Sequence, residues 1–197
     1  MDAAQVRTPV LVAWSYGGRV VADYLAHHGP GRIAGINLVG ARTTSDARFS
    51  DPDIVDLQAG MAVDDPERSE AATARFLDLC SAKWDTEAFE QHLAFNHLVP
   101  ADIRKHLLGR PLDADPLLRP LDRPVLFTHG RLDRIAPYAA SLHGHQVARH
   151  SRLSIYDDAG HSPFFEQPER FNAELAQFVR NCVANAGSME HAFAGQL

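Results

Sequence analysis

The sequence predicts an α/β fold in which a mostly parallel sheet lies between two layers of helices, a three-layer α/β/α arrangement. Three observations lead to this. Short apolar runs rich in β-branched residues lack polar alternation, which is typical of strands buried on both faces of a parallel sheet. Helical patterns follow these runs directly, as in βαβ units. A long central stretch has no strand signal at all, which indicates a helical insertion in a chain of 197 residues.

The first βαβ unit is predicted at the start of the chain. A strand is expected at 9–14, where the run reads PVLVAW. The following helical pattern places Val21 and Leu25 on one face and ends at a Gly-Pro-Gly sequence. A second buried strand is expected at 33–39, before Gly40. The crossover between two such parallel strands should be right-handed.

The composition changes over about 44–122. Strand signals are absent there, and four short helical segments alternate with prolines. One of them begins at Asp65-Pro66-Glu67, where a capping acid precedes a proline at the first helical position. We therefore expect a helical cap inserted into the core domain.

The βα pattern then returns. Strands are expected at 124–128 and 153–156, separated by a helix at 136–148, and an amphipathic helix follows at 164–183. The predicted organisation is a core domain at 1–183, the insertion at about 44–122 within it, and a tail at 184–197.

Composition and charge exclude several classes of function. The chain has 19 Lys and Arg, 25 Asp and Glu and a net charge of −6, with no basic block, so we expect neither a nucleic-acid partner nor a membrane surface. No apolar stretch is long enough for a membrane span, and no signal peptide is visible. The two cysteines, Cys80 and Cys182, have no metal-ligand spacing. These features favour a cytoplasmic protein.

A serine lies where the first predicted strand turns into a helix. Ala13-Trp14-Ser15-Tyr16-Gly17 matches the small-x-Ser-x-small elbow, a relative of G-x-S-x-G. The flanking positions must be small because strand and helix nearly touch, and the serine hydroxyl then lies at the positive end of the helix dipole. The backbone N–H of Tyr16 points to where an oxyanion would form. Trp14 and Tyr16 could shape an acyl pocket or simply pack.

An acid and a histidine follow in the order that such a serine requires. Asp133 comes just after the third predicted strand, and His161 comes after the fourth and before the last helix. Because the carboxyl ends of parallel strands meet at one edge of a sheet, all three groups should lie together. We therefore predict Ser15 as nucleophile, His161 as base and Asp133 as the acid behind it.

Alternative interpretations remain open at this point. Ser15 could be only a helix cap. Asp157 or Asp158 could replace Asp133, although both come very soon before the histidine, and Asp46 after the second strand is a weaker substitute. The eleven histidines suggest a metal site, but the closely spaced pair His143 and His145 falls in a predicted helix and points in different directions. We predict no metal and no cofactor.

The segments AWSYGG, HGRLDRIAP and DAGHSPFFEQPERFNAEL resemble the elbow, the acid loop and the histidine loop of the α/β-hydrolase family. The resemblance covers most of residues 8–183. It implies a cofactor-free enzyme with Ser15, Asp133 and His161 in the roles given above, and a helical insertion that acts as a lid. Small bacterial members include serine esterases, perhydrolase-like proteins and carbon–carbon bond hydrolases, and the shared residues do not distinguish among them.

One departure from the family is expected. Members carry strands before the elbow and an early loop that supplies a second oxyanion N–H, whereas few residues precede Ser15 here. The fold is therefore predicted to be incomplete at its N-terminus, with the first strand exposed as an edge through which copies could associate. The predicted function is a serine hydrolase acting on carboxylic esters or similar small acyl compounds. The alternative is a truncated, non-catalytic remnant or ligand-binding scaffold.

Overall fold

The structure, a computed structural model, describes residues 3, 5–81 and 83–194, with side chains through residue 185. Its sheet has four parallel strands whose spatial order is their order in the chain. The strands are β1 (Val10–Trp14), β2 (Gly35–Val39), β3 (Val125–Gly130) and β4 (Ser151–Tyr156). The helices are α1 (Gly17–His28), α2 (Pro52–Met61), α3 (Pro66–Cys80), α4 (Thr86–His97), α5 (Ala101–Leu108), α6 (Asp115–Leu118), α7 (Tyr138–Val147), α8 (Pro163–Glu166) and α9 (Pro168–Ala194).

Helices cover both faces of the sheet, which confirms the predicted three-layer α/β/α class. On one face, the apolar side of α1 packs with Leu38 of β2 and Phe127 of β3, and α6 and α7 complete this core. On the other face, Leu126 packs against Phe178 and Cys182 of α9. Alternate residues of one strand therefore enter different cores, as the pleat requires.

The strand β1 lies at the edge of the sheet and is less buried than its sequence predicted. Its neighbour on one side is β2, and within the described part of the chain no strand pairs with its other side. Ala13 is buried against α1, but Val12 is 50% exposed and Trp14 is 39% exposed on the opposite face. The expectation of burial on both faces is wrong for β1, because α9 packs on β2 and leaves Val12 uncovered.

Between β2 and β3, the described secondary structure is helical apart from an isolated antiparallel bridge between Thr44 and Asp113. A short 3₁₀ turn at Ala47–Phe49 precedes α2, and α2 to α5 pack on one another. The helix α3 begins as the sequence predicted, with the Asp65 carboxylate accepting from the Arg68 N–H at 3.2 Å. Ile54 and Leu79 pack against Ile135, so these helices rest on the loop after β3.

The last helical region differs in its bounds from the prediction. The predicted helix at 164–183 is divided at Gln167, which is not helical because Pro168 disfavours the α conformation in the residue before it. The helix α9 then continues to Ala194, so most of the predicted tail at 184–197 is helical and 195–197 lie outside the described residues. Despite the length of α9, none of the described helices is long and apolar enough to cross a membrane.

Candidate active site

Ser15 occupies the turn between β1 and α1 in a conformation that non-glycine residues rarely adopt. Its φ is 52°, and its N–H donates to the Val39 carbonyl of β2 at 2.9 Å, which ties the turn to the sheet. A Cβ on Gly17 would lie 3.3 Å from the Cβ of Ala13. This close approach is the physical reason for small residues on both sides of the serine.

The first turn of α1 carries no side-chain cap. No hydrogen bond therefore supports the interpretation of Ser15 as a helix cap. The Tyr16 N–H finds no acceptor among the described residues, as is usual for the first amides of a helix. Ser15 thus projects from a strained turn beside a free backbone donor and the positive end of a helix.

Asp133 lies in the loop after β3 and is held by four donors. Its Oδ1 accepts from the backbone N–H groups of Ile135 at 2.8 Å and Ala136 at 2.9 Å. Its Oδ2 lies 2.7 Å from His161 Nδ1 and 3.0 Å from His129 Nε2. The carboxylate is fully buried.

These surroundings decide the charge of Asp133. Burial acts to raise the pKa of the carboxyl, but the charge and hydrogen bonds of His161 and His129 outweigh it and hold the pKa well below its ordinary range. Asp133 is therefore ionised. Since an ionised carboxylate only accepts, the His161 Nδ1 donates to it, which leaves Nε2 as the nitrogen that can act as a base.

The alternative acids lie elsewhere. Asp157 pairs with Arg131 at 2.6 Å, Asp158 is exposed, and Asp46 pairs with Arg48 at 2.8 Å. Of the acids considered from the sequence, Asp133 is the one in contact with His161.

Backbone contacts fix the loop that carries His161. The His161 N–H donates to the Cys80 carbonyl of α3 at 3.1 Å, and Trp14 Nε1 donates to the His161 carbonyl at 2.8 Å. On either side, the N–H groups of Gly160 and Ser162 donate to Glu166 Oε1 at 2.9 and 3.4 Å. Three separate elements thus set the position of the imidazole.

Gly40, at the end of β2, lies under the imidazole. Its φ is +54°, and a Cβ there would lie 3.1 Å from His161 Nδ1. A side chain at this position would be strained and would press on the ring, so glycine lets β2 end directly beneath the histidine.

The reactive edge of the ring faces no protein partner. His161 Nε2 is buried and forms no hydrogen bond with any described residue, and the Ser15 hydroxyl is no exception. Ser15 and His161 nevertheless line the same cavity, of about 380 Å³, together with Trp14 and Tyr16. Such hydrogen bonds are often long in a protein without substrate and shorten when it binds. The structure therefore brings the predicted residues to one site without closing the contact between serine and histidine.

The insertion forms much of the cavity wall. Met61 of α2, Phe76 and Leu77 of α3 and Leu107 of α5 supply apolar surface opposite Ser15. Tyr16 also reaches the insertion, since its hydroxyl donates to the Leu107 carbonyl at 3.0 Å. A cavity whose surface is mostly apolar, with polar groups among its lining residues, suits an acyl chain.

Two residues of the site were not predicted from the sequence. His129, in β3, was placed only in the acid loop, yet its Nε2–H is shared between Asp133 Oδ2 at 3.0 Å and the Ala136 carbonyl at 2.9 Å. Glu166 was placed only in the last helical segment, yet it holds the histidine loop. A buried polar residue inside a strand is the one available signal for His129, and no comparable signal marks Glu166.

His143, considered above as a metal ligand, pairs with Asp115 at 2.7 Å. Among the side chains that the structure describes, those of residues 3, 5–81 and 83–185, no group of three or more His, Cys, Asp or Glu is arranged to hold a metal ion.

Comparison with known proteins agrees with this fold. The family model for the alpha/beta hydrolase fold matches residues 1–168. A pimeloyl-[acyl-carrier protein] methyl ester esterase of Neisseria meningitidis serogroup A is 29% identical over 206 residues, which cover 92% of this chain and 60% of that protein. A non-heme haloperoxidase of Rhodococcus erythropolis is 28% identical over 91% of this chain and 73% of its own length.

A solved structure is similar as well. The esterase RhEst1 from Rhodococcus sp. ECU1013 aligns with a TM-score of 0.83 and 31% identity, over 90% of this chain and 68% of that one. The chain therefore spans about 60 to 73% of the length of these three proteins. The match to most of the chain, the parallel sheet and the serine turn lead to one conclusion: the chain belongs to the α/β hydrolase fold family.

Proposed function

We propose that the protein is a serine hydrolase acting on carboxylic esters or similar small acyl substrates, with Ser15 as nucleophile, His161 as general base and Asp133 as its partner. The observation that carries the proposal is the 2.7 Å contact between Asp133 Oδ2 and His161 Nδ1. His161 and Ser15, whose φ is 52°, line the same cavity. This contact leaves Nε2 as the nitrogen available to take a proton.

The reaction follows from these positions. His161 Nε2 takes the hydroxyl proton as Ser15 Oγ attacks the carbonyl carbon, and Asp133 stabilises the imidazolium that forms. The tetrahedral oxyanion accepts from the Tyr16 N–H. When the C–O bond to the alcohol breaks, His161 returns the proton to the leaving oxygen. A water activated by the same nitrogen then releases the acid from Ser15.

The relatives support an ester as the substrate class. Two of the three similar proteins described above are named esterases, one for a methyl ester on an acyl-carrier protein. The third is named a haloperoxidase, which shows that related chains are assigned other chemistry. We propose carboxylic esters as the substrate class of this chain.

A fluorophosphonate probe tests the proposal. The folded wild-type chain should be labelled and should hydrolyse p-nitrophenyl acetate, and Ser15→Ala should lose both, with turnover lower by at least about 10³-fold. Ser154→Ala is a matched control, since that hydroxyl contacts Glu174 on the outer part of the sheet. Its labelling should equal that of the wild type.

The competing function is a ligand-binding scaffold without catalysis. It is favoured by one observation, the lack of a hydrogen bond between His161 Nε2 and Ser15. A folded wild-type chain that is not labelled, or ester turnover that persists in Ser15→Ala, would reject the hydrolase and favour the scaffold.

A further inference from the structure

Two arginines lie in the wall that separates the active-site cavity from a neighbouring groove. Arg19 is in the first turns of α1, shortly after Ser15, and Arg42 follows β2, shortly after Gly40. Both side chains line the cavity that holds Ser15, and both also line the groove, where Lys105 joins them. We call Arg19 and Arg42 the arginine pair.

The arginine pair has only neutral partners. Arg19 Nη1 donates to the Arg110 carbonyl at 2.5 Å, and Arg42 Nη1 donates to the Phe49 carbonyl at 3.1 Å. Within the described part of the chain, neither guanidinium forms an ion pair with a carboxylate. Arg110 shows the contrast, because it binds both carboxylate oxygens of Asp23 at 2.7 and 2.8 Å.

The local charge is opposite to that of the whole chain. The net charge is −6, yet the described residues that line the cavity and the groove include no aspartate or glutamate. The cavity is lined by three arginines, since Arg104 is also present. Arg104 already caps the end of α4 through the carbonyls of Asn96 and Val99, so it is less available to a ligand.

Holding the arginine pair half-buried costs free energy, which the charge of Asp23, itself paired with Arg110, offsets only in part at Arg19. Burial lowers the pKa of both guanidinium groups, and the charge of Arg19 lowers that of Arg42 further. Arginine nevertheless stays protonated in proteins, so two positive charges remain close together and half-buried. An anion bound between them would replace repulsion by charge-assisted hydrogen bonds, because the remaining guanidinium N–H groups match carboxylate and phosphate oxygens.

We propose that Arg19 and Arg42 form an anion subsite, and that the substrate carries a carboxylate or phosphate on the part that lies away from the reacting carbonyl. This inference rests on the proposed hydrolase function, since it names the class of ester that Ser15 would meet. Arg19 is four positions after Ser15, near the start of α1, and both residues line the same cavity. The apolar wall around Leu107 and Leu108 would hold a short carbon chain between the two ends.

Matched substrates test the subsite. The mono-p-nitrophenyl ester of adipic acid and p-nitrophenyl hexanoate have six-carbon acyl chains and differ at the far end, a carboxylate against a methyl group. The wild type should favour the anionic ester by at least about tenfold in kcat/KM. Arg42→Gln should lower this ratio severalfold, Arg42→Lys should retain part of it, and the double variant with Arg19→Gln should bring it close to one.

The control separates the subsite from net charge. Arg180 is exposed on α9 and bonds to Gln177, so Arg180→Gln removes one positive charge far from the cavity. Its substrate ratio should equal that of the wild type. Raising the ionic strength should reduce the wild-type preference, because salt screens partly exposed charges. A wild-type ratio of one, or a ratio lowered as much by Arg180→Gln as by Arg42→Gln, would overturn the subsite.

Binding to the Ser15→Ala chain distinguishes this inference from the hydrolase itself. Calorimetric titration with adipate and with inorganic phosphate should each show binding that Arg42→Gln weakens, and the stronger of the two identifies the preferred anion. If the wild type cleaves esters but neither anion binds, the subsite is wrong and the hydrolase stands. If no ester is cleaved but an anion binds through Arg42, the hydrolase is wrong and the subsite stands.

Discussion

Asp133 illustrates at the scale of one residue how the fold keeps a buried carboxylate charged. Four donors surround it, and two of them come from backbone amides that the turn itself aligns. The His129 ring adds a donor from within β3, so Asp133 cannot rotate away from His161 without losing several hydrogen bonds. Orientation of the imidazole thus depends on residues that never touch substrate.

The lowered pKa of Asp133 predicts a pH dependence of stability. Because the carboxyl binds its proton less tightly in the folded than in the unfolded chain, its charged form stabilises the fold. This contribution is complete above the ordinary range of an aspartate, about pH 4, and is lost as the pH falls through that range toward the folded pKa. Asp133→Asn removes it.

The difference in unfolding free energy between the wild type and Asp133→Asn should therefore be largest near neutral pH and shrink on acidification. Urea titrations at several pH values measure it. A difference that stays constant from neutral to acidic pH would mean that the charge of Asp133 does not stabilise the fold.

The sequence predicted residues whose position in the fold follows from the chain order of the strands. Asp133 and His161 follow successive strands, and parallel strands end at one edge, so their meeting could be inferred. His129 and Glu166 could not be found in this way. Their roles depend on which buried polar groups face one another, and residue spacing carries no information about such pairing.

The loop between β4 and α8 carries His161, and its backbone N–H groups need acceptors for the loop to hold the histidine in place. It leaves the sheet with few regular hydrogen bonds, and Glu166 replaces them by accepting from the Gly160 N–H at 2.9 Å. Burial raises the pKa of Glu166 while these N–H groups lower it. The Lys83 ammonium adds a bond to the Glu166 carbonyl at 2.8 Å and links the loop to the insertion.

Glu166→Ala should destabilise the chain and displace His161. It leaves the buried N–H of Gly160 without an acceptor, which costs about 1–3 kcal/mol, and turnover of p-nitrophenyl acetate should fall by at least about tenfold. Glu166→Gln keeps an acceptor oxygen and should cost much less on both counts. Thermal unfolding and steady-state kinetics measure the two effects. Equal losses in the Ala and Gln variants would show that the charge, and not the acceptor, is what holds the loop.

At the scale of the whole molecule, the sheet has two unlike edges. At one side, β4 ends the sheet beside α7 and α9. At the other, β1 presents an edge that no strand of the described residues pairs with, together with the exposed Val12 and Trp14 side chains. The sequence predicted the edge, but not that α9 would leave Val12 uncovered on its own face of the sheet, because helix placement over a sheet depends on packing that no local pattern encodes. The candidate site lies at the end of this same strand.

An unpaired apolar edge predicts self-association of the chain, since backbone donors and acceptors of β1 can pair with a second copy. Val12→Lys places a charge on the exposed face and should shift the elution of the chain in size-exclusion chromatography toward a monomer. Val55→Lys on α2 is the matched control, because Val55 is 48% exposed and Val12 is 50% exposed, and only the latter lies on the edge. A wild-type chain that elutes as a monomer at every concentration would remove the edge as an interface, and an equal shift in both variants would assign the association to general apolar exposure instead.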